Sequence, residues 1–371
     1  MAKMANESVG LRIGSQEWRA WSDVSITRSI EQACSTAALS LVNIDWSAGV
    51  GGRSGALLEI VPSQFCEVWI GPDRAHGERV IQGYVDADET TTTEGCAYKV
   101  EVRSKVADLV DCTHLHGTGV FRKMRVERIT QELADPYGVN VLCETDTGPL
   151  VESFRCDRTE TVLKAIGRLA RERGLLVIDD TLGNLVITTV AAPGKVTATL
   201  ERGRNVKSLT RRREVSQRFG RYVVRGQTAL EFGAEGSMDD LWVKRNRTLC
   251  IDHERAGDKA ACLRRALWEA STRAGKSVRY EVEVPGWRVD PSDTSSDLWQ
   301  PNTIVRLVDS CLQVDDDLLV ARVNLQRSVR GGTTTTLSLG HPEGFAPEPP
   351  KYRRGKGGHG VTGWAELKGG V

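Results

Sequence analysis

Between Val80 and Cys112 the chain reads VIQGYVDADETTTTEGCAYKVEVRSKVADLVDC, and this stretch restricts the fold more than any other. Tyr98, Val100 and Val102 alternate with Lys99, Glu101 and Arg103, the period of two that marks a strand with one buried face. A strand over Val80–Asp86 precedes it, and the Thr90–Gly95 cluster sits where a long hairpin reverses. Val106, Leu109 and Val110 then fit a short helical turn. Nothing in the stretch carries catalytic chemistry.

The same pattern continues on both sides. Val24 with Ile26, Leu39 with Leu41, and Leu58, Ile60, Val68 and Ile70 predict a run of short strands, with Gly49, Gly51, Gly52 and Gly55 marking a loop. Polar connections every ten or so residues favour a barrel. The character then changes. Val126, Ile129 and Leu133 predict a helix over Arg125–Tyr137, and Val162, Ile166 and Leu169 a stronger one over Asp157–Gly174, capped near Asp157–Thr159. A hairpin of Leu175–Asp179 and Leu185–Val190 follows. From Ala198 the β pattern resumes, with a charged loop over 231–255, a helix over Arg255–Lys276 and strands at Val278–Val284, Ile304–Asp309, Leu318–Gln326 and Thr333–Leu339. The expected organisation is an N-terminal β-barrel domain (1–112), an α+β middle domain (113–197), a second β-barrel domain with a long helix (198–345) and a flexible basic Gly/Pro tail (346–371).

The order of these pieces carries a resemblance. "ITRSIE", "GYVD", the hairpin, "RSKVADLVD", "AIGRLARERGLLVIDDTLGNLVIT" and "GWRVDPSDTSSDLWQPNTIVRLVDS" follow one another as in the baseplate hub proteins of contractile phage tails. The chain resembles the Mu-like hubs most, within a group that includes late-control tail proteins and the hub part of type VI secretion spikes. The resemblance spans about residues 9–345 and rests on structural corners. It implies a mainly β fold with an α+β insert, in which two tail-tube-like β-barrels are joined by a mixed segment. It also implies a homotrimer whose six modules meet a six-fold tube on one side and a three-fold spike on the other, with other baseplate proteins around it. DNA would pass through its channel only in transit, and the protein would sit in the virion tail baseplate. No sequence identity between the two β halves is visible, so the duplication comes from the resemblance alone.

Charge and chemistry point the same way. Lys+Arg number 50 and Asp+Glu 49, so the chain lacks the basic footprint of a duplex-binding protein. No apolar run reaches the ~18 residues of a membrane span. The opening MAKMANESVG has no apolar signal-peptide core, and nine scattered cysteines without a CxxC pair suit synthesis in a reducing cytoplasm. Cys112, His114 and His116 form one soft-ligand cluster without a fourth ligand at finger spacing. Asp315, Asp316 and Asp317 read as a solvated hairpin tip, and GKGGHG at Gly355–Gly360 lacks the strand and helix of a phosphate loop. Neither Gly-x-Ser-x-Gly nor His-Glu-x-x-His occurs. We therefore expect no catalytic residue, metal or cofactor; the hub of a type VI secretion-like spike, a tail-borne cell-wall hydrolase and a nucleic-acid-binding module are the competing readings.

Two basic clusters are the candidate assembly residues. Arg211, Arg212, Arg213, Arg218, Arg221 and Arg225 suit intersubunit salt bridges, or a lumen that attracts passing phosphates; the bland reading is a solvated β surface paired with nearby acids. An interface is favoured, since tight DNA binding would hinder passage. Lys351, Tyr352, Arg353, Arg354 and Trp364 form a candidate arm that grips a neighbour on assembly, against a disordered end with no partner. Nine Trp against six Phe suit a chain with packed corners, and Trp18, Trp21, Trp46, Trp69, Trp287 and Trp299 fall at predicted strands or turns.

Overall fold

The computed structural model describes residues 8–41, 60–72, 76–92, 96–115, 117–191, 196–227, 232–253, 259–293, 295–329 and 331–348. The N-terminal β half contains β1 (Val9–Ile13), β2 (Gln16–Trp18), β3 (Asp23–Ser29), β4 (Thr36–Leu41), β5 (Phe65–Ile70), β6 (Glu78–Thr92) and β7 (Cys96–Ser104). The alternation that predicted these strands is the burial pattern observed: Val24 and Ile26, Leu39 and Leu41, and Tyr98, Val100 and Val102 all point inward.

The middle segment holds α1 (Ala107–Asp111), β8 (Val120–Met124), α2 (Val126–Ala134), β9 (Val141–Cys143), β10 (Val151–Arg155), α3 (Val162–Glu172), β11 (Leu176–Asp179) and β12 (Leu185–Thr188). Its own core gathers Val126, Ile129 and Leu133 of α2 with Val162, Ile166 and Leu169 of α3. Helix α3 starts later than expected, because Thr161 has extended backbone (ψ 153°) and is its N-cap.

The C-terminal β half contains β13 (Val196–Glu201), β14 (Ser208–Arg213), β15 (Arg221–Gln227), β16 (Phe232–Asp239), β17 (Thr248–His253), α4 (Lys259–Lys276), β18 (Val278–Pro285), β19 (Ile304–Asp309), β20 (Val314–Ser328) and β21 (Gly332–Gly340). The expected loop over 231–255 is corrected here. β16 and β17 flank β15 in a three-stranded sheet, on which α4 packs. Gly236, which read as a loop signal, is a close-approach residue: a Cβ there would lie 2.3 Å from the Leu263 nitrogen of α4.

The two β halves are continuous. Thirteen strands form one sheet, ordered β14-β18-β21-β20-β3-β4-β7-β6-β5-β1-β2, with β19 on β20 and β13 on β19. The joint is antiparallel β3 on β20, from Ser29 opposite Arg322 to Val24 opposite Arg327. The largest apolar cluster accordingly draws on both halves, from Val9 and Leu11 to Leu337 and Leu339. Among the described residues this pairing does not close either half into a separate barrel.

The halves also repeat one strand order. In the first, β3-β4-β7-β6-β5-β1 lie side by side; in the second, β14-β18-β21-β20-β19-β13 do. Each set runs through its strands in the same chain sequence, with β15–β17 and α4 inserted between β14 and β18. β6 and β20 are both 15 residues long, and each pairs with one partner near its start and with a hairpin partner farther along. One departure is that β1 runs antiparallel to β5 whereas β13 runs parallel to β19. The duplication invisible in residue identities is thus visible in topology.

Candidate assembly surface

The six arginines grouped in sequence separate in space. Arg211, Arg212 and Arg213 lie on β14, which among the described residues pairs only with β18 and ends the sheet path. Arg211 is half-buried and donates through Nη1 to the Leu312 carbonyl at 2.8 Å. Arg212 and Arg213 are exposed. Arg212 meets Glu214 at 2.9 Å, and the Glu214 carboxyl is held below the usual carboxylate range, first by the Ser216 hydroxyl and then by Arg212.

Arg221 and Arg225 belong to the other sheet. They project from β15 toward their cross-strand neighbours, Arg221 to Asp239 at 3.8 Å and Arg225 to Glu235 at 3.4 Å, all four side chains about half exposed. Such pairs contribute only ~0–1 kcal/mol each. Arg218 is a correction to the exposed cluster. It is buried with Asp240, donating through Nε at 2.6 Å and Nη2 at 3.1 Å, while Nη1 donates to the Ser277 hydroxyl at 3.1 Å. The guanidinium lies over the Trp242 ring, 4.5 Å from its centroid. Arg218 therefore fastens the small sheet to the end of α4. The candidate arm, Lys351, Tyr352, Arg353, Arg354 and Trp364, lies outside the described residues.

Residues to which the sequence reading gave no role of their own hold the parts in register, although Asp179, Asn302 and Gly83 stand inside the quoted motifs. Asp179 of β11 accepts the Ser35 backbone N–H at 2.7 Å and the Ser35 hydroxyl at 2.8 Å, locking the middle segment onto the β3–β4 turn. Burial raises the Asp179 carboxyl above its ordinary value despite the Ser104 hydroxyl, the Ser35 bonds and the nearby Arg28. Asn302 of the Trp-Gln-Pro-Asn corner has left-handed backbone (φ 61°), a region Asn tolerates. Its Oδ1 accepts the Ala191 N–H at 2.9 Å and its Nδ2 donates to the Thr189 carbonyl at 3.0 Å. The "GYVD" glycine, Gly83, is required by contact: a Cβ would lie 1.9 Å from the Arg103 carbonyl oxygen on β7.

Among the described residues no group of three or more His, Cys, Asp or Glu is arranged to hold a metal ion. His114 Nε2 contacts the Asp157 carbonyl at 3.0 Å, and His116 lies outside the described residues. Asp315 to Asp317 are not the hairpin tip expected: they follow Val314 at the start of β20, paired with Val308 to Arg306 of β19, and Asp315 takes both prongs of Arg306 at 2.7 and 2.8 Å. Trp18, Trp21, Trp69, Trp287 and Trp299 are all buried, while Trp46 lies outside the described residues.

Three family models match this chain in succession. They are the Mu phage baseplate assembly protein GpP-like N-terminal domain over residues 8–103, the second domain of baseplate hub protein gp44-like proteins over 106–189, and the GpP fourth domain over 258–348. Baseplate hub protein gp44 of Escherichia phage Mu is 29% identical over 372 residues, covering 95% of this chain and 93% of that protein. The crystal structure of the 43 kDa tail protein of prophage MuSo2 from Shewanella oneidensis matches with a TM-score of 0.80 and 30% identity, over 92% of this chain and 100% of that one. The chain belongs to the Mu-like baseplate hub proteins of contractile phage tails. It is a structural component of the virion tail, a β-rich hub in the baseplate. A type VI secretion system component from E. coli, described as structurally similar to T4 tail proteins gp27 and gp5, matches at a TM-score of 0.51 and 9% identity, over 89% of this chain and 76% of that one. At that identity the likeness is one of fold alone.

Proposed function

We propose that three copies of this hub close a ring around the axis of the tail, so that six β modules face the tube and a three-fold end faces the spike. Each β half acts as one tube-like module, and the middle segment fixes the angle between a module and the parts below it. The work is geometric: the ring converts one symmetry into another and leaves an opening for DNA in transit, with no substrate turned over. The observation that carries this reading is the repeated strand order of the two halves and their edge-to-edge joint through β3 and β20. A chain with two like modules already side by side needs only three copies to present six. The exposed arginines of β14 and the arm around Lys351–Arg354 and Trp364 are the surfaces we assign to contacts with neighbours. Tube, spike and other baseplate proteins are the partners of such a ring. The identity to a phage hub over nearly the whole chain favours a tail over a secretion spike.

Sedimentation equilibrium with electron microscopy of the purified protein tests the proposal. A trimeric mass and ring-shaped particles with an axial opening are expected. A monomer across the concentration series, or clearing of peptidoglycan that one carboxylate substitution abolishes, overturns it.

A further inference from the structure

The repeated strand order makes a residue-level statement about how one copy meets the next, and it rests on the ring reading above. The halves align by their pairing. A bulge interrupts β6–β7 between Val85 and Ala87, and another interrupts β20–β21 between Val320 and Arg322. Ala87 therefore corresponds to Arg322, Asp88 to Val323, Glu89 to Asn324 and Thr91 to Gln326. On the other side, Val102 and Leu339 are counterparts, each opposite the residue that precedes its bulge. Ala37 pairs with Val102 and Tyr280 with Leu339; Ile26 pairs with Ala37 and Arg211 with Tyr280. Ile26 of β3 thus corresponds to Arg211 of β14. Burial follows the same alignment: Val24 and Ile26 point inward on β3, and Leu209 and Arg211 are the half-buried positions of β14.

The strand edges of the two halves differ in what they pair with. β3 lies on β4 and on Arg322–Arg327 of β20. Its counterpart β14, among the described residues, lies on β18 alone. The counterpart of Arg322–Arg327 is the Ala87–Thr92 segment of β6, half-buried at Ala87 and exposed from Asp88 on, which among the described residues pairs with β7 alone. One joint of the repeat is made inside the chain, and both halves of the other are left unmade.

We propose that β14 of one copy adds antiparallel to the Ala87–Thr92 edge of β6 in the next copy, in the register of β3 on β20. Transferring that register puts Thr210 opposite Thr91, Arg211 opposite Thr90, Arg212 opposite Glu89 and Arg213 opposite Asp88. The charges agree with a pairing that topology alone selected. In the isolated subunit Arg212 sits directly across from Arg279 of β18; Glu214 and Glu31 already meet these two arginines, and an acidic strand on the other side of β14 adds to that compensation. Opposite charges across such a joint favour this neighbour and disfavour neutral or basic edges. The contact is head to tail, so it makes a ring when the rotation closes and a filament when it does not.

Two measurements on the full-length protein test the joint. Arg212→Glu with Arg213→Glu is expected to weaken self-association by about 100-fold or more, since it sets like charges across two pairs. Adding Asp88→Arg and Glu89→Arg to the same chain is expected to restore it, with circular dichroism confirming the fold of each variant. Separately, Thr91→Cys with Thr210→Cys should oxidise to a ladder that ends at three chains in denaturing gels, because opposed Cα atoms fall within disulfide reach. Thr91→Cys with Ser208→Cys, two residues out of register, should show only the background of the parent's native cysteines. A trimer that survives the double reversal, or cross-links equally in both cysteine pairs, overturns this joint and leaves the ring reading standing. A parent protein that stays monomeric overturns both.

Discussion

Asp179→Ala probes the junction that orients the middle segment. The carboxylate is 5% exposed and accepts two bonds from Ser35, which is 1% exposed. Bonds to a charged group contribute about 1.5–3 kcal/mol each, and a buried N–H left unpaired costs about 1–3 kcal/mol. Against this, Ala relieves the burial of a carboxyl whose desolvation outweighs its hydrogen bonds. The net loss works out at about 2–4 kcal/mol. Asp179→Asn keeps an acceptor without the charge and should cost about 1 kcal/mol. Urea unfolding gives the totals, and hydrogen exchange at the Ser35 amide reads the junction itself, where protection should fall in the Ala variant.

The pH dependence gives the sign. A carboxyl raised in the folded state binds its proton more tightly there than in the unfolded chain. Its contribution to stability is therefore greatest at low pH, falls as pH rises from the ordinary carboxylate range through the raised value, and is at its least above it. The stability of the wild type minus that of Asp179→Asn should fall across that window. A difference that rises with pH would mean the Ser104 and Ser35 bonds and Arg28 outweigh desolvation, and the reasoning would fail. So would an Ala variant within 0.5 kcal/mol of wild type, which is the range of ordinary surface substitutions.

Other substitutions separate packing from surface charge. Arg218→Met should cost about 3–5 kcal/mol by leaving Asp240 buried and unpaired, measured by urea unfolding, with Asp240→Asn in the same chain recovering part of it. Arg221→Ala and Arg225→Ala should each change stability by less than about 0.5 kcal/mol, since both pairs are exposed. Asn302→Ala removes two bonds and a left-handed Asn, and a loss of about 2–3 kcal/mol is expected; Asn302→Gly should restore only the backbone part. Gly236→Val should undock α4 from the small sheet, read as lost amide protection over α4 and β16, because its Cβ meets the Leu263 backbone.

Local patterns were legible wherever one period governed a whole element. The alternation at Tyr98–Val102 and the stripe of Val162, Ile166 and Leu169 both name their buried faces without knowledge of what covers them. β16 was missed because Gly236 carries opposite meanings in a loop and beneath a helix, and only α4 decides between them. Arg218 was grouped with exposed arginines because the sequence gives its distance along the chain and not the Asp240 that folds over it. The β3–β20 joint was beyond reach for a stronger reason: Ser25 and Asn324, hydrogen-bonded at 3.1 Å, are 299 residues apart. Their strands carry no mark of each other beyond suitable burial.

With the proposed joint as its intermolecular counterpart, the β3–β20 joint gives a reason why Arg211 and Arg212 stand on β14 where β3 carries Ile26 and Thr27, while Leu209 and Arg213 keep the character of Val24 and Arg28. β3 meets its partner during folding of the same chain, at high effective concentration, and can afford apolar residues because it is never long uncovered. An edge that waits for another molecule cannot be built that way, since an exposed apolar strand pairs with whatever it meets. Charge resolves the conflict. In the proposed ring, Arg212 and Arg213 would keep the waiting edge hydrated and selective, and the acids of β6 would keep the complementary edge in the same condition until the two are apposed. On this view the halves diverged in residue identity because one joint is intramolecular and the other is not, while the backbone geometry common to both was held. Replacing Arg212 and Arg213 with Thr and Val, residues suited to a covered strand, should leave the fold intact by circular dichroism. It should turn a defined oligomer into heterogeneous aggregates in light scattering; a protein that stays monodisperse would refute the role assigned to charge.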